Sequence, residues 1–200
     1  MRIVTAQEMQ CWLDSGKVLE QDARGPKVVA LENGLFLKIF HTRRHPLLAR
    51  LKPAARRFAE NARCLNNLNI KTPLITDLFW LDKQAGLSGC LYQPLPGTSL
   101  EQIYMREPEQ IHERLSALAA FIRELHRKRI YFRSLHLGNI LLLPSGEFGL
   151  IDFLDMSRKR TPISAWRSTR NFAHLKKYLL RKKINTFPTE KLITLYREME

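Results

Sequence analysis

Acidic residues are missing from two long stretches of this chain. From His41 to Arg57 stand six lysines and arginines (Arg43, Arg44, Arg50, Lys52, Arg56 and Arg57) and no Asp or Glu. From Met156 to Thr189 stand ten, again without an acid, and the 200 residues carry a formal charge of +14. Such blocks favour an anionic partner: a phosphorylated glycolipid, a membrane surface or nucleic acid. A basic, solvated surface accounts for them equally well, because charge pattern alone is a weak guide. Aromatics are not interleaved with the basic runs and no base-reading module is present, which disfavours nucleic acid. Cysteine is scarce. Cys11, Cys64 and Cys90 are far apart, which excludes a CxxC metal spacing and leaves reduced, packed thiols as the expectation. No apolar run approaches the roughly 18 residues that span a bilayer. The opening MRIVTAQEMQCWLDSG lacks the apolar core of a signal peptide. A soluble, cytoplasmic protein is expected.

Repeats and low-complexity tracts are also absent. What is present reads as strands first and helices later. Thr5-Ala6-Gln7-Glu8 predicts a capping box opening a short helix that ends at Gly16. Asn33-Gly34 between Lys27–Leu31 and Leu35–Phe40 predicts a β-hairpin. Ala54 to Leu68 has helical spacing in Phe58, Ala62, Leu65 and Leu68, and strands are predicted over Leu74–Leu81 and Gly89–Tyr92. After Pro94, Pro96 and Gly97 the character changes. Ser99 caps a short helix, and Pro108 starts a long one with Ile111, Leu115, Leu118, Ile122 and Leu125 on one stripe. Ile140–Leu143 and Phe148–Ile151 flank the turn Pro144-Ser145-Gly146-Glu147. Two helices close the chain, from Ala165 to Leu180 and from Thr189 onward.

The densest chemistry lies around that second hairpin. Phe132-Arg133-Ser134-Leu135-His136-Leu137-Gly138-Asn139-Ile140-Leu141-Leu142 precedes it, and Leu150-Ile151-Asp152-Phe153-Leu154-Asp155 leaves it. An amide oxygen and a carboxylate on opposite sides of a hairpin are what a hard cation demands. Asn139 after Gly138 also suits a plain turn; Asp152, between Ile151 and Phe153, is poorly explained as a turn or cap. Upstream, Lys38 sits among Phe36, Leu37, Ile39 and Phe40, where a lone cation needs an anion. Glu60 on the following helix is a candidate partner. With Arg56, Arg57 and Arg63 around it, a surface ion pair is the other reading.

This order resembles the protein-kinase-like fold, and more closely the bacterial lipopolysaccharide core sugar kinases and the small "toluene tolerance" proteins related to them. The resemblance spans about Ala23 to Leu180. It implies an α+β, bilobal architecture: a small strand-rich N-lobe over residues 1–93, an antiparallel sheet plus one helix, and a short helical C-lobe over 94–200 with the catalytic-loop hairpin. It implies ATP and Mg²⁺ as cofactors. By the same resemblance, Lys38 places positive charge on the α- and β-phosphates and Glu60 holds it. Asn139 ligates Mg²⁺ and braces the loop, Asp152 bridges Mg²⁺ to the β- and γ-phosphates, and His136 braces the backbone. Asp155 either assists the metal or faces solvent.

Ser134 breaks the pattern. It stands five residues before Asn139, where a kinase places the Asp that accepts the substrate's proton. A serine hydroxyl is not a base near neutral pH. Phe132 replaces the usual His of the loop and Leu154 the Gly after Asp152-Phe153. No GxGxxG precedes Lys38, only the short loop Asp22 to Pro26. General-base catalysis supplies roughly 10² to 10⁴ in rate, whereas phosphoryl transfer leans mainly on positioning and charge neutralisation. Two outcomes stay open. One is a phosphotransferase acting on a hydroxyl of an anionic envelope sugar or glycolipid, held by the basic segments at the inner face of the cytoplasmic membrane. Asp155, His136 or a substrate phosphate would then take the proton. The other is a pseudokinase, a nucleotide-binding scaffold or regulator.

Overall fold

The computed structural model describes residues 1–41 and 46–199. Arg43 and Arg44 of the first basic block lie outside the described residues. The chain folds as two compact units: Met1–Asn67 with Thr72–Leu95, and Leu68–Lys71 with Pro96–Glu200.

The first unit runs β1 (Arg2–Ile3), α1 (Ala6–Ser15), β2 (Lys17–Asp22), β3 (Gly25–Ala30), β4 (Phe36–Phe40), α2 (Pro46–Leu51), α3 (Ala54–Asn66), β5 (Leu74–Asp82) and β6 (Leu87–Gln93). Its strands form one sheet in the order β1-β5-β6-β4-β3-β2. Every neighbouring pair is antiparallel except β1 with β5. So the sheet is mixed at one edge, not wholly antiparallel; α1 and α3 form where the sequence predicts helices, and α2 is additional. The capping box at α1 is half made. Thr5 accepts from the Glu8 amide at 3.1 Å, but the Glu8 carboxylate turns to Arg2 at 2.7 Å instead of the cap. The Asn-Gly turn forms where expected: Gly34 takes φ +79° and Asn33 Oδ1 accepts from the Leu35 amide. It sets the register Val28 opposite Lys38.

Alternation on β4 then divides its side chains between two faces. Leu37 and Ile39 join Val4, Val29, Leu31 and Phe79 in a cluster covered by Trp12 and Leu13 of α1. Phe40 packs on the other side against Phe58 of α3, with ring centroids 5.4 Å apart. Lys38 shares that face.

The second unit runs β7 (Thr98–Ser99), α4 (Leu100–Arg106), α5 (Pro108–Glu113), α6 (Leu115–Arg127), β8 (Ile130–Phe132), β9 (Ile140–Leu142), β10 (Phe148–Leu150), β11 (Met156–Arg158), α7 (Ala165–Arg181) and α8 (Thr189–Glu198). The stripe Ile111, Leu115, Leu118, Ile122 and Leu125 is buried throughout. Its helix is not continuous, because Arg114 leaves helical geometry at φ −97°, ψ 7° and separates α5 from α6. Leu115 restarts in phase, so the apolar spacing carries no sign of the break. Ser99 makes the complete capping box of α4 with Gln102. Two small ladders complete the unit: β10-β9-β7, and β11 with β8. Leu68–Lys71 belongs here because Lys128 Nζ donates to the Leu68 carbonyl at 2.6 Å and the Leu150 amide to that of Lys71 at 2.9 Å. Among the described residues, no helix is long and apolar enough to cross a membrane.

Candidate active site

The β9–β10 hairpin places the two candidate metal ligands. Ile140 pairs with Leu150, and one step further the Ile151 amide donates to the Asn139 carbonyl at 3.0 Å. Asn139 and Asp152 therefore leave the hairpin at the same end. Asn139 is buried and donates from Nδ2 to the Ser134 carbonyl at 3.0 Å, which leaves its amide oxygen as the atom to offer a ligand. Asp152 is exposed and holds a left-handed conformation, φ 49°, ψ 42°. For a residue other than glycine that conformation costs on the order of 1–2 kcal/mol, and Asp and Asn tolerate it best.

A second ladder brings Ser134 and Asp155 together. Met156 pairs with Phe132 in the antiparallel β8–β11 ladder, so the residue before Met156 lies across from those after Phe132. Ser134 Oγ donates to Asp155 Oδ2 at 2.6 Å, and Arg133 Nε lies 3.5 Å from the same oxygen. Asp155 Oδ1 is buried and takes no hydrogen bond. Asp155 is partly exposed, and its carboxylate is paired with the loop.

His136 is a packing residue. Its ring stacks on Tyr178 at 3.8 Å, and burial pushes its pKa down to about 4 against the pull of Glu101. Neutral at physiological pH, it faces Asn139 Nδ2 at 3.4 Å. Beneath it, Glu101 of α4 accepts from the Tyr178 hydroxyl and pairs with Lys182 at 2.8 Å. Burial pushes the Glu101 carboxyl up, but these two donors outweigh it and hold it below its ordinary value. Gly138 is what lets this group sit against the loop. A Cβ there would lie 2.6 Å from Tyr178 Oη and 2.9 Å from Glu101 Oε2. Tyr178 cannot swing aside, being stacked and hydrogen-bonded, so Gly138→Ala should cost about 1–2 kcal/mol by urea unfolding. Unchanged stability would show that Tyr178 yields freely.

The loop's other end is tied to the helices. Asn171 Nδ2 donates to the Phe132 carbonyl at 2.8 Å. A carbonyl only accepts, so the Asn171 oxygen is the atom facing His126 Nε2 at 3.0 Å, and that nitrogen carries the proton. His126 Nδ1 then accepts from the Tyr196 hydroxyl at 2.8 Å. Burial lowers the His126 pKa to about 4. Sequence reading missed this chain, since a buried His–Asn pair 45 residues apart leaves no local pattern.

In the first unit, Lys38 Nζ lies 5.6 Å from the Phe58 ring centroid and 5.9 Å from that of Phe40. The α3 face turned to it carries Phe58 and, one helical turn on, Asn61. Glu60 is two residues past Phe58 and so points elsewhere. Its carboxylate is exposed and lies 3.3 Å from Arg56 in an i,i+4 pair. The surface pairing left open by the sequence is the one observed, and Glu60 is not the residue on the Lys38 face.

Residues 96–196 match the model of the lipopolysaccharide kinase (Kdo/WaaP) family, and the chain belongs to that family. No curated protein matches it. The mixed α+β architecture and the family together make this a kinase-like fold of the lipopolysaccharide-kinase type. A kinase family works on a nucleotide, and its usual companion is a divalent cation. The donor set fits one: a neutral amide oxygen and a carboxylate, both hard, with the remaining positions left to phosphate oxygens and water. Among the described residues no cluster of three or more His, Cys, Asp or Glu forms a site that would hold a metal without the nucleotide.

Proposed function

We propose that this protein transfers the γ-phosphoryl group of Mg²⁺-ATP to a hydroxyl of an envelope sugar or glycolipid. The observation that carries the reading is the shared exit of Asn139 and Asp152 from one hairpin inside the family-matched segment. Asn139 and Asp152 are the proposed metal ligands and Lys38 the cation for the phosphates; Glu60 is left out, being exposed and paired with Arg56. Bound Mg²⁺ would neutralise charge building on the phosphate oxygens. Asn139 also keeps the loop closed through the Ser134 carbonyl, which positions whatever accepts the proton.

For the acceptor, the basic block from Met156 to Thr189 offers a surface. Arg170, Lys177 and Arg181 are exposed along one side of α7, with Trp166 and Leu180 exposed beside them. Cations interleaved with exposed apolar side chains suit a phosphorylated glycolipid at a membrane surface. The test is transfer of labelled γ-phosphate from ATP to purified core oligosaccharide. Wild type should label it, and Arg170→Glu with Lys177→Glu should raise the acceptor KM about tenfold while leaving the KM for ATP alone. Absence of label with every core oligosaccharide offered would sink the proposal.

Ser134 itself favours a second reading, a nucleotide-binding regulator without turnover. Its signature is a Tm raised by Mg²⁺-ATP with no phosphate transferred.

A further inference from the structure

We infer that Ser134 and Asp155 together replace the missing proton acceptor of the catalytic loop, with Ser134 handing the substrate's proton to Asp155. The inference rests on the phosphotransfer reading above. The loop has lost a carboxylate at position 134, yet the β8–β11 ladder returns one to the same place from 21 residues away. The contact is short, 2.6 Å from Ser134 Oγ to Asp155 Oδ2, the range of a charge-assisted O–H···O⁻ bond. It is also directional: the hydroxyl proton is committed to the carboxylate, so the serine's lone pairs are free to accept another. Ser134 is held from behind as well, its carbonyl taking the Asn139 amide at 3.0 Å. Thus one residue connects the proposed metal ligand to the proposed proton store.

The charged and titratable groups around Asp155 are Arg133 and His136 on the loop and His174 on α7; His136 is uncharged near neutral pH, burial having pushed it down to about 4. His174 is held below its ordinary pKa by burial and by Arg133, Arg170 and Lys177, so near neutral pH it is uncharged. Arg133 Nε and the Ser134 hydroxyl both approach the same Asp155 oxygen, at 3.5 and 2.6 Å. Its second oxygen, Oδ1, is buried without a hydrogen bond. An unpaired buried carboxylate oxygen costs stability that a merely structural ion pair would avoid.

The acceptor's oxygen forms a bond to the γ-phosphorus, and the bond from that phosphorus to the β–γ bridging oxygen breaks, ADP leaving with the electron pair. The acceptor's proton passes to Ser134 Oγ as the serine's own proton passes to Asp155 Oδ2. No free alkoxide forms at Ser134, and the net result is a protonated Asp155 that returns its proton to water. Ser134 is the catalytic residue here and Asp155 acts through it.

The experiment measures ADP release from Mg²⁺-ATP with core oligosaccharide and, in parallel, with water as acceptor. Asp155→Asn should lower kcat about 10²–10⁴-fold, leave the KM for ATP and the Tm shift with Mg²⁺-ATP unchanged, and erase the acid limb of the kcat–pH profile. Ser134→Ala should show the same kcat loss. Adding Ser134→Asp to Asp155→Asn restores a carboxylate to the loop and should regain at least tenfold. An Asp155→Asn protein within threefold of wild-type kcat overturns the inference. So does a loss that keeps the wild-type pH profile and gains nothing from Ser134→Asp, which would mark Asp155 as a fold contact only. A wild type that binds Mg²⁺-ATP and releases ADP with neither acceptor defeats the phosphotransfer reading and takes this inference with it.

Discussion

Asp152→Asn is expected to reduce phosphotransfer by about 10³-fold or more, roughly 4 kcal/mol of transition-state stabilisation, while the protein stays folded. Charge and backbone both bear on the outcome. On the proposed reading the Asp152 carboxylate is the charged protein ligand of the cation, and Asn139 contributes only an amide dipole. An amide in place of the carboxylate removes a full negative charge from the ligand set at unchanged shape. The backbone then decides the choice of variant. Residue 152 sits at φ 49°, ψ 42°, and Asn enters that region as readily as Asp. Asp152→Ala would confound the loss of a ligand with local strain; Asn does not. Activity measured as γ-phosphate transfer to core oligosaccharide, with Tm recorded on the same samples, separates the two. If Asp152→Asn transfers phosphate at the wild-type rate with Mg²⁺ as the only divalent cation, Asp152 is not a metal ligand. A lowered rate that rising Mg²⁺ restores would instead place the effect on metal affinity.

Local features were the readable ones. Asn33-Gly34, Ser99 with Gln102 and Pro144-Ser145-Gly146-Glu147 each determine a turn or cap through residues a few positions apart, and each forms where expected. Strand β2 escaped because all six of its residues are exposed; with nothing buried on either face, no alternation is written into Lys17–Asp22. The α5–α6 break escaped because the apolar stripe runs through it in phase. Glu60 misled for the same reason that motifs generally do. The residue type was right for the role, but on a helix two positions turn a side chain to the far side, and Phe58 shows which side Lys38 faces. Asp155 was named with His136 and a substrate phosphate as an outlet for the proton, but its contact with Ser134 was not foreseen. It depends on the register of a ladder only three residues long, and the chain between its strands folds through a hairpin and two single turns of 3₁₀ helix first.

Stability should fall steeply as pH drops below about 6.5, with about 3 kcal/mol lost by pH 4 from His126 alone. His126 has a folded pKa near 4 against 6.5 in an open chain, so between those values the unfolded state binds the extra proton. Its contribution is therefore complete above pH 6.5 and drains away toward 4. The main cause is burial of the ring, and the hydrogen-bond chain shows what a second proton would disturb. Asn171 fixes Nε2 as the donor, which makes Nδ1 an acceptor for Tyr196; a proton on Nδ1 sets two donors against each other unless Tyr196 turns its hydroxyl away. Arg123, stacked on the Tyr196 ring at 5.1 Å, adds like-charge repulsion. His136, held down mainly by burial, acts in the same direction over the same range. Glu101 joins below its ordinary value: its folded pKa is depressed, so its share is present above about 4.5 and lost beneath that. All three groups border the loop that carries Ser134 and Asn139, through Phe132 on one side and Gly138 on the other. Urea midpoints measured from pH 7.5 down to 4.5 should show a continuous decline, and His126→Gln should flatten part of it while lowering stability at pH 7.5. A midpoint that stays constant between pH 7 and 5 would mean that His126 binds a proton as readily in the folded protein as in the open chain, and the donor–acceptor order assigned from Asn171 to Tyr196 would be wrong.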